Sequence, residues 1–293
     1  MIHLSRRDFW FLVLINLIWG FNLIASKVGV GNFPPIFFTA LRFSLLAACL
    51  LPFLRWHAGL MTPLLTAAAL SGGLQFALLF TGVHLTTHVG SVAIATQLGV
   101  PFTTLMSVLF LGEVIRWRRR LGILLAFAGV AVIGVQSDMF VDRAGLALVV
   151  ASALVGSIGL VAVKRLGTTF GALELQAWFA VTGLPILWGL SLWLEQGQWA
   201  SIGQATPLHW GALLYTVFVS SLIAHSGFYY LVRRYPVTSV SPLTTLSPLF
   251  SITFGIVLLG DRLTARLVFG GALTLLGVTI IALRERSLVD TGT

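Results

Sequence analysis

Charge is scarce in this chain. Only 9% of its 293 residues are Asp, Glu, Lys or Arg, and 57% are hydrophobic, whereas a soluble domain typically carries about 25% charged residues. So few charges cannot cover a water-facing surface, which excludes a soluble fold. The mean hydropathy of +0.98 makes lipid the solvent for most side chains. The nine acidic residues do not cluster inside the apolar runs. An intramembrane enzyme acting on lipid or isoprenoid substrates would normally need such a cluster of Asp, Glu or His near one membrane face. The single cysteine, Cys49, excludes an internal disulfide. A phosphate loop, a nucleophile–base pairing and a dinucleotide-binding glycine pattern are all missing, and no stretch is long enough for an extramembrane output domain.

What is present is a series of long apolar runs. A span needs about 20 apolar residues to cross a ~30 Å hydrocarbon core. Ten fit, at roughly 8–29, 34–54, 63–84, 88–110, 118–136, 143–163, 172–194, 208–231, 237–259 and 264–283. The thinnest boundary is 84–88, which a single kinked helix could also satisfy. Ser5-Arg6-Arg7-Asp8-Phe9-Trp10 resembles a twin-arginine export signal. No small-residue cleavage site follows it, so the segment is expected to stay as the first helix. With the N-terminus inside, 13 of the 18 Lys and Arg fall on inside segments and four (Lys27, Arg143, Arg262, Arg266) on outside ones. That bias predicts both termini in the cytoplasm and gives the net charge of +9 a topological meaning. No nucleic-acid partner is expected.

The chain repeats itself. At an offset of 148, Ser91-Val92 matches Ser239-Val240, and Leu111-Gly112-Glu113 matches Leu259-Gly260-Asp261. Arg118, Gly122 and Gly129-Val130 match Arg266, Gly270 and Gly277-Val278, with Pro101 and Pro248 one residue out of step. At an offset of 137, Leu23, Ala25, Lys27 and Phe33 match Leu160, Ala162, Lys164 and Phe170. The halves, 1–137 and 142–286, would hold five helices each. Five is odd, so the second half would enter the membrane upside down. Inverted repeats of this kind are a hallmark of secondary transporters.

Asn16, Trp19-Gly20-x-Asn22 and Lys27 in the first helix, Pro34 and Arg42 in the second, and the block repeated in both halves resemble the drug/metabolite transporter superfamily in its ten-helix EamA-like branch. The resemblance implies an all-α integral membrane fold of two inverted five-helix repeats around a central cavity. It also implies export of small metabolites, often amino acids, with aromatic ones a plausible cargo. The sixth helix departs from the first, with Gly156-Ser157-x-Gly159 in place of Trp19-Gly20-x-Asn22, so the halves would line the cavity unequally.

Polar groups in hydrocarbon are costly and usually have a reason to be there. The candidates for the cavity are Trp19, Asn22, Gln75, Gln97, Ser221, His225, Tyr229, Ser241, Thr244 and Thr245, with Trp178 as a ring for stacking. The competing reading for most of them is helix–helix hydrogen bonding. His225 is the member that titrates near neutral pH, and Gln97→Ala and His225→Ala are both expected to disturb transport. Arg42 could snorkel or hold an anionic cargo group. Glu113 and Asp261 end helices four and nine, where a carboxylate opposes the helix dipole. Neighbouring arginines (Arg116 or Arg118; Arg262 or Arg266) are their expected clamp partners, and a gate latch is the functional alternative. His84 and His88 have metal-like spacing but lack acidic or cysteine company, so neither a metal nor a cofactor is expected. The overall expectation is a monomeric multi-pass carrier in a bacterial-type inner membrane, with a lipid or isoprenoid flippase-type carrier or an intramembrane enzyme as the alternative.

Overall fold

Proline and glycine mark most of the helix boundaries. The structure is a computed structural model that describes residues 5–135, 140–167, 170–235 and 240–289. The side chains of Phe140, Tyr229, Val232, Arg233, Ser241, Pro242 and residues 284–289 lie outside that description. Helix α1 (Arg6–Asn32) starts at Ser5, whose Oγ accepts the Asp8 N–H at 3.1 Å. It stops at Phe33, just before Pro34, where the steric demand of the proline ring excludes helical backbone. Nine more long helices follow among the described residues: α2 (Pro35–Phe53), α3 (Met61–Leu85), α4 (Val89–Leu111), α5 (Trp117–Val135), α6 (Phe140–Arg165), α7 (Ala172–Leu194), α8 (207–234), α9 (241–259) and α10 (Ala265–Val289). A short helix, Gln198–Gln204, joins α7 to α8. The described residues contain no strand.

Eight of these helices are long and apolar enough to cross a membrane. The exceptions are α9, which is shorter, and α5, which opens on Arg118, Arg119 and Arg120 and so carries too much charge at its start. The predicted spans agree with the helices to within a few residues. The break at 84–88 is real: Thr86 is extended and ends α3, and α4 begins at Val89.

Matching positions in the two halves carry matching irregularities. Both α3 and α8 contain π-helical turns, at Ala69–Leu74 and Tyr215–Ala224. Both α4 and α9 are broken just before a proline. Pro101 has no N–H to give the Gln97 carbonyl, so the Val100 N–H takes that oxygen at 3.1 Å in a tighter turn. Ahead of Pro248, Ser241–Thr245 is likewise a 3-10 turn. Gly112 and Gly260 end these helices with left-handed backbone (φ 69° and 72°), the conformation glycine adopts without strain. The next N–H closes each cap, Glu113 to the Ser107 carbonyl and Asp261 to the Gly255 carbonyl.

Lipid tails are as apolar as leucine, so helix association in a bilayer depends on close backbone approach at small residues. One such approach joins α5 to α10. A Cβ on Gly122 would lie 2.8 Å from the Gly277 carbonyl oxygen, and one on Gly270 would lie 2.5 Å from that of Gly129. In return, a Cβ on Gly129 would meet the Gly270 carbonyl oxygen and one on Gly277 the Gly122 carbonyl oxygen. Since Gly122 matches Gly270 and Gly129 matches Gly277 in the repeat, the two contacts map onto each other when the halves are exchanged. Elsewhere α3 lies on α6, α2 on α7 and α1 on α9.

Candidate functional site

A cavity of about 670 Å³ runs from mid-span to one end of the bundle. Polar residues reach it at helical spacing from several walls: Ser71 and Gln75 on α3, Thr96, Thr103, Thr104 and Ser107 on α4, Ser221 and His225 on α8. The α6 wall is the stripe Ser152, Gly156, Leu160 and Lys164, four residues apart. Its glycines make room for the opposite wall, since a Cβ on Gly156 would collide with the Gln75 side chain and one on Gly159 with Ser71. Arg42, Phe43 and Leu46 of α2 and Gln176 and Phe179 of α7 complete the inner wall.

The π-turn in α8 positions the inner polar cluster. It lets the Ser221 hydroxyl donate to the Thr216 carbonyl, five residues back, at 2.9 Å, while the same oxygen accepts from Arg42 Nη2 at 2.9 Å. Gln176 Nε2 donates to the Ser221 carbonyl at 3.2 Å. His225 Nδ1 lies 2.8 Å from the Ser220 carbonyl. A carbonyl only accepts, so Nδ1 carries a proton and donates it. Trp19 meets the same ring edge-on, with centroids 5.1 Å apart.

The two ends of the bundle differ. At the open end Glu113 pairs with Lys164 at 2.7 Å, and both line the cavity mouth with Arg119. Arg165 donates to the Phe110 carbonyl beside them. At the far end, the repeat mates of Glu113 and Lys164 tie helix ends together. Asp261 accepts the Val89 N–H at 2.8 Å and the Gly90 N–H at 3.4 Å, which caps α4 where the helix dipole favours a carboxylate. Lys27 Nζ donates to the carbonyls of Val83 (2.8 Å), His84 (3.2 Å) and Thr86, which closes the end of α3. No residue of this far end lines the cavity. The inner crossings differ in the same way. Ser157 donates to the Gly99 carbonyl at 3.0 Å and accepts from Thr103 at 3.1 Å on the cavity wall. Ser251, the repeat mate of Thr103, donates to the Gly20 carbonyl at 3.1 Å inside a closed α1–α9 contact.

The sequence candidates divide accordingly. Arg42, Gln75, Ser221, His225 and Glu113 line the cavity. Trp19, Asn22, Gln97, Thr244 and Thr245 do not: four of them sit on the closed α1–α9 pair, and Gln97 sits at the α4 break, with its neighbours Thr96 and Gly99 facing in. Trp178 is 9% exposed among Met61, Leu64 and Phe170 and donates from Nε1 to the Arg55 carbonyl at 3.3 Å, so it packs a loop instead of lining the cavity. The side chains of Tyr229 and Ser241 lie outside the described residues. The arginine clamps expected for Glu113 and Asp261 are corrected. The left-handed glycine before each carboxylate turns it away from its own helix end, toward Lys164 in one case and the α4 amides in the other. His84 and His88 stand on either side of a helix break, and the described residues hold no metal-like cluster. Sequence reasoning missed the α6 stripe, although its four-residue spacing was visible. It also missed Arg119, which is indistinguishable by sequence from the arginines beside it.

A bundle of apolar helices around a cavity with a polar stripe and an apolar wall suits a multi-pass membrane transporter. The EamA-like transporter family matches residues 8–135 and 143–283, and the chain belongs to it. A probable amino-acid metabolite efflux pump of Escherichia coli is 27% identical, over 99% of this chain and 100% of its own length. A probable amino-acid metabolite efflux pump of Salmonella typhimurium is 28% identical, over 94% and 95%. One crystal structure superposes with a TM-score of 0.62 at 20% identity, over 97% of this chain and 99% of that one. At that identity the likeness concerns the fold alone.

Proposed function

We propose that this chain exports small metabolites of the amino-acid kind by alternating access. In this reading ten helices span the membrane as two inverted halves, 1–137 and 142–286, with both termini on the cytoplasmic face of a bacterial inner membrane. The observation that carries it is the unequal state of matched parts. Lys164 and Glu113 pair with each other at an open mouth, while Lys27 and Asp261 bond backbone groups that hold the opposite end shut. Two halves with equivalent parts can trade these arrangements, and that trade moves the opening from one face to the other. The reciprocal glycine contacts of α5 with α10 support an axis relating the halves. The arginine-rich end is the open one, so the positive-inside bias makes this the inward-facing state. Trp19, Asn22, Thr244 and Thr245 then belong to the wall of the outward-facing cavity. The names of the E. coli and S. typhimurium relatives support the direction and the cargo class.

Counterflow of labelled neutral and aromatic amino acids into proteoliposomes tests the reading. Saturable counterflow of at least one is expected, and its absence across the set would point to a lipid-type cargo. His225→Ala is expected to cut counterflow about tenfold, the effect of losing one good polar contact. Gln97→Ala, whose side chain stands off the cavity, should stay within about twofold.

A further inference from the structure

Arg42 is a buried charge without a counter-charge. It is 5% exposed, near the middle of α2. One guanidinium nitrogen is tied to Ser221, and the group lies 5.7 and 5.6 Å from the ring centres of Phe76 and Phe80. Its Nε has no hydrogen-bond partner. Among the described residues it makes no ion pair. The one carboxylate lining the cavity, Glu113, is occupied by Lys164. Arg119, at the mouth, is also buried, has an unpartnered Nε and makes no ion pair among the described residues. Besides His225, the cavity wall therefore carries three cationic side chains and one carboxylate. An uncompensated guanidinium in hydrocarbon costs several kcal/mol, and such groups usually lie on a substrate path.

Resting on the carrier reading above, we propose that Arg42 anchors a carboxylate of the cargo, and that the cargo is a small amphipathic carboxylate. A guanidinium matches a carboxylate in a planar two-pronged pairing that a lysine cannot reproduce. Ser221 and the two rings hold the fork in place, which lowers the cost of ordering it when cargo arrives. Phe43, Leu46, Leu79 and Phe179 offer an apolar wall for the rest of the molecule. Arg119 draws the anion in through the mouth, where low-dielectric walls concentrate its field. Gln176 Oε1, which has no donor in the structure, is placed to accept an N–H from the cargo. A purely structural Arg42, clamping α2 to α8, would be served by the Ser221 bond alone and would give no preference for one cargo charge over another.

The test uses the full chain in lipid nanodiscs and two matched probe pairs: 3-phenylpropanoate with 3-phenylpropanamide, and L-phenylalanine with L-phenylalaninamide. Each acid is expected to bind about 10- to 100-fold more tightly than its amide, the range for a charge-assisted hydrogen bond. Arg42→Gln should erase that preference and Arg42→Lys should restore part of it. Ser221→Ala should weaken binding of both acids without erasing the preference, because the fork loses its tether and keeps its charge. Equal binding of acid and amide by the wild type overturns the assignment, as does an undiminished acid preference in folded Arg42→Gln. Should Arg42→Gln not fold, the wild-type comparison decides alone. Counterflow in wild-type proteoliposomes reports separately on the carrier reading. Counterflow that ignores the carboxyl group would keep the carrier and refute the role of Arg42.

Discussion

Alanine at Gly129 is expected to destabilise the protein by about 1–3 kcal/mol, the cost of overpacking a close contact, and to lower the yield of folded chain in proportion. The new methyl group would run into the Gly270 carbonyl and the Thr274 side chain and N–H, all held by helical backbone that cannot give way. Gly277→Ala should cost about as much, because its Cβ meets the Gly122 carbonyl and the Ala126 N–H in the mirror arrangement. Gly211→Ala is the control. A Cβ there meets nothing within 4 Å, so it should be neutral or gain up to about 1 kcal/mol of helix propensity. Melting of the three purified variants in detergent checks all of this. If Gly129→Ala melts with Gly211→Ala, the backbone contact between α5 and α10 is not as described. If Gly129→Ala and Gly277→Ala differ widely, the two halves are not equivalent.

The second large effect is at Asp261. Its carboxylate caps α4, and loss of such a cap costs about 0.5–2 kcal/mol. In the proposed alternating-access cycle the cap belongs to the closed end, and its loss would weaken the inward-facing state selectively. Asp261→Ala is expected to shift the balance of the two states toward outward-facing by about 2- to 30-fold. Glu113→Ala should do much less. Its partner Lys164 has a side chain 56% exposed, against 37% for Glu113 itself, and pairs in such surroundings contribute about 0–1 kcal/mol. External labelling of Asn22→Cys, on the closed α1 wall, reads the shift. A strong rise for Asp261→Ala with little change for Glu113→Ala is expected. Equal responses would contradict the assignment of Asp261 to the closed gate.

Helix boundaries were legible in the sequence because prolines and left-handed glycines act locally. Pro34, Pro101 and Pro248 act through a missing N–H or a steric clash with their own chain, and Gly112 and Gly260 through their own φ. The repeat was legible because it is written in residue identities at a fixed offset. Partners were not. The carboxylates of Glu113 and Asp261 were matched to arginines a few residues away, yet each bonds across the bundle, since the glycine turn ahead of it decides its direction. Lys27 read as an outside charge, and its bonds to the carbonyls at the end of α3 were not legible. Trp178 read as a ring for cargo, whereas a loop covers it. The π-turns of α3 and α8, which bring Gln75 and Ser221 to the cavity, have no composition of their own to betray them. The unequal states of the two ends were out of reach because the same residue types occupy both, and only their partners differ.

The inward-facing orientation is decided by which face of the membrane can reach the cavity. Thr104 lines it, and its hydroxyl bonds only to its own helix, at the Val100 carbonyl. Thr104→Cys in a Cys49→Ala background gives a single thiol in the cavity wall. Labelling with a membrane-impermeant maleimide would be compared in inside-out and right-side-out vesicles. Thr104→Cys is expected to label from the cytoplasmic face and to be protected when cargo is added. Equal labelling from both faces would make the cavity a channel, and labelling from the outer face alone would contradict the inward-facing state and the orientation on which it rests.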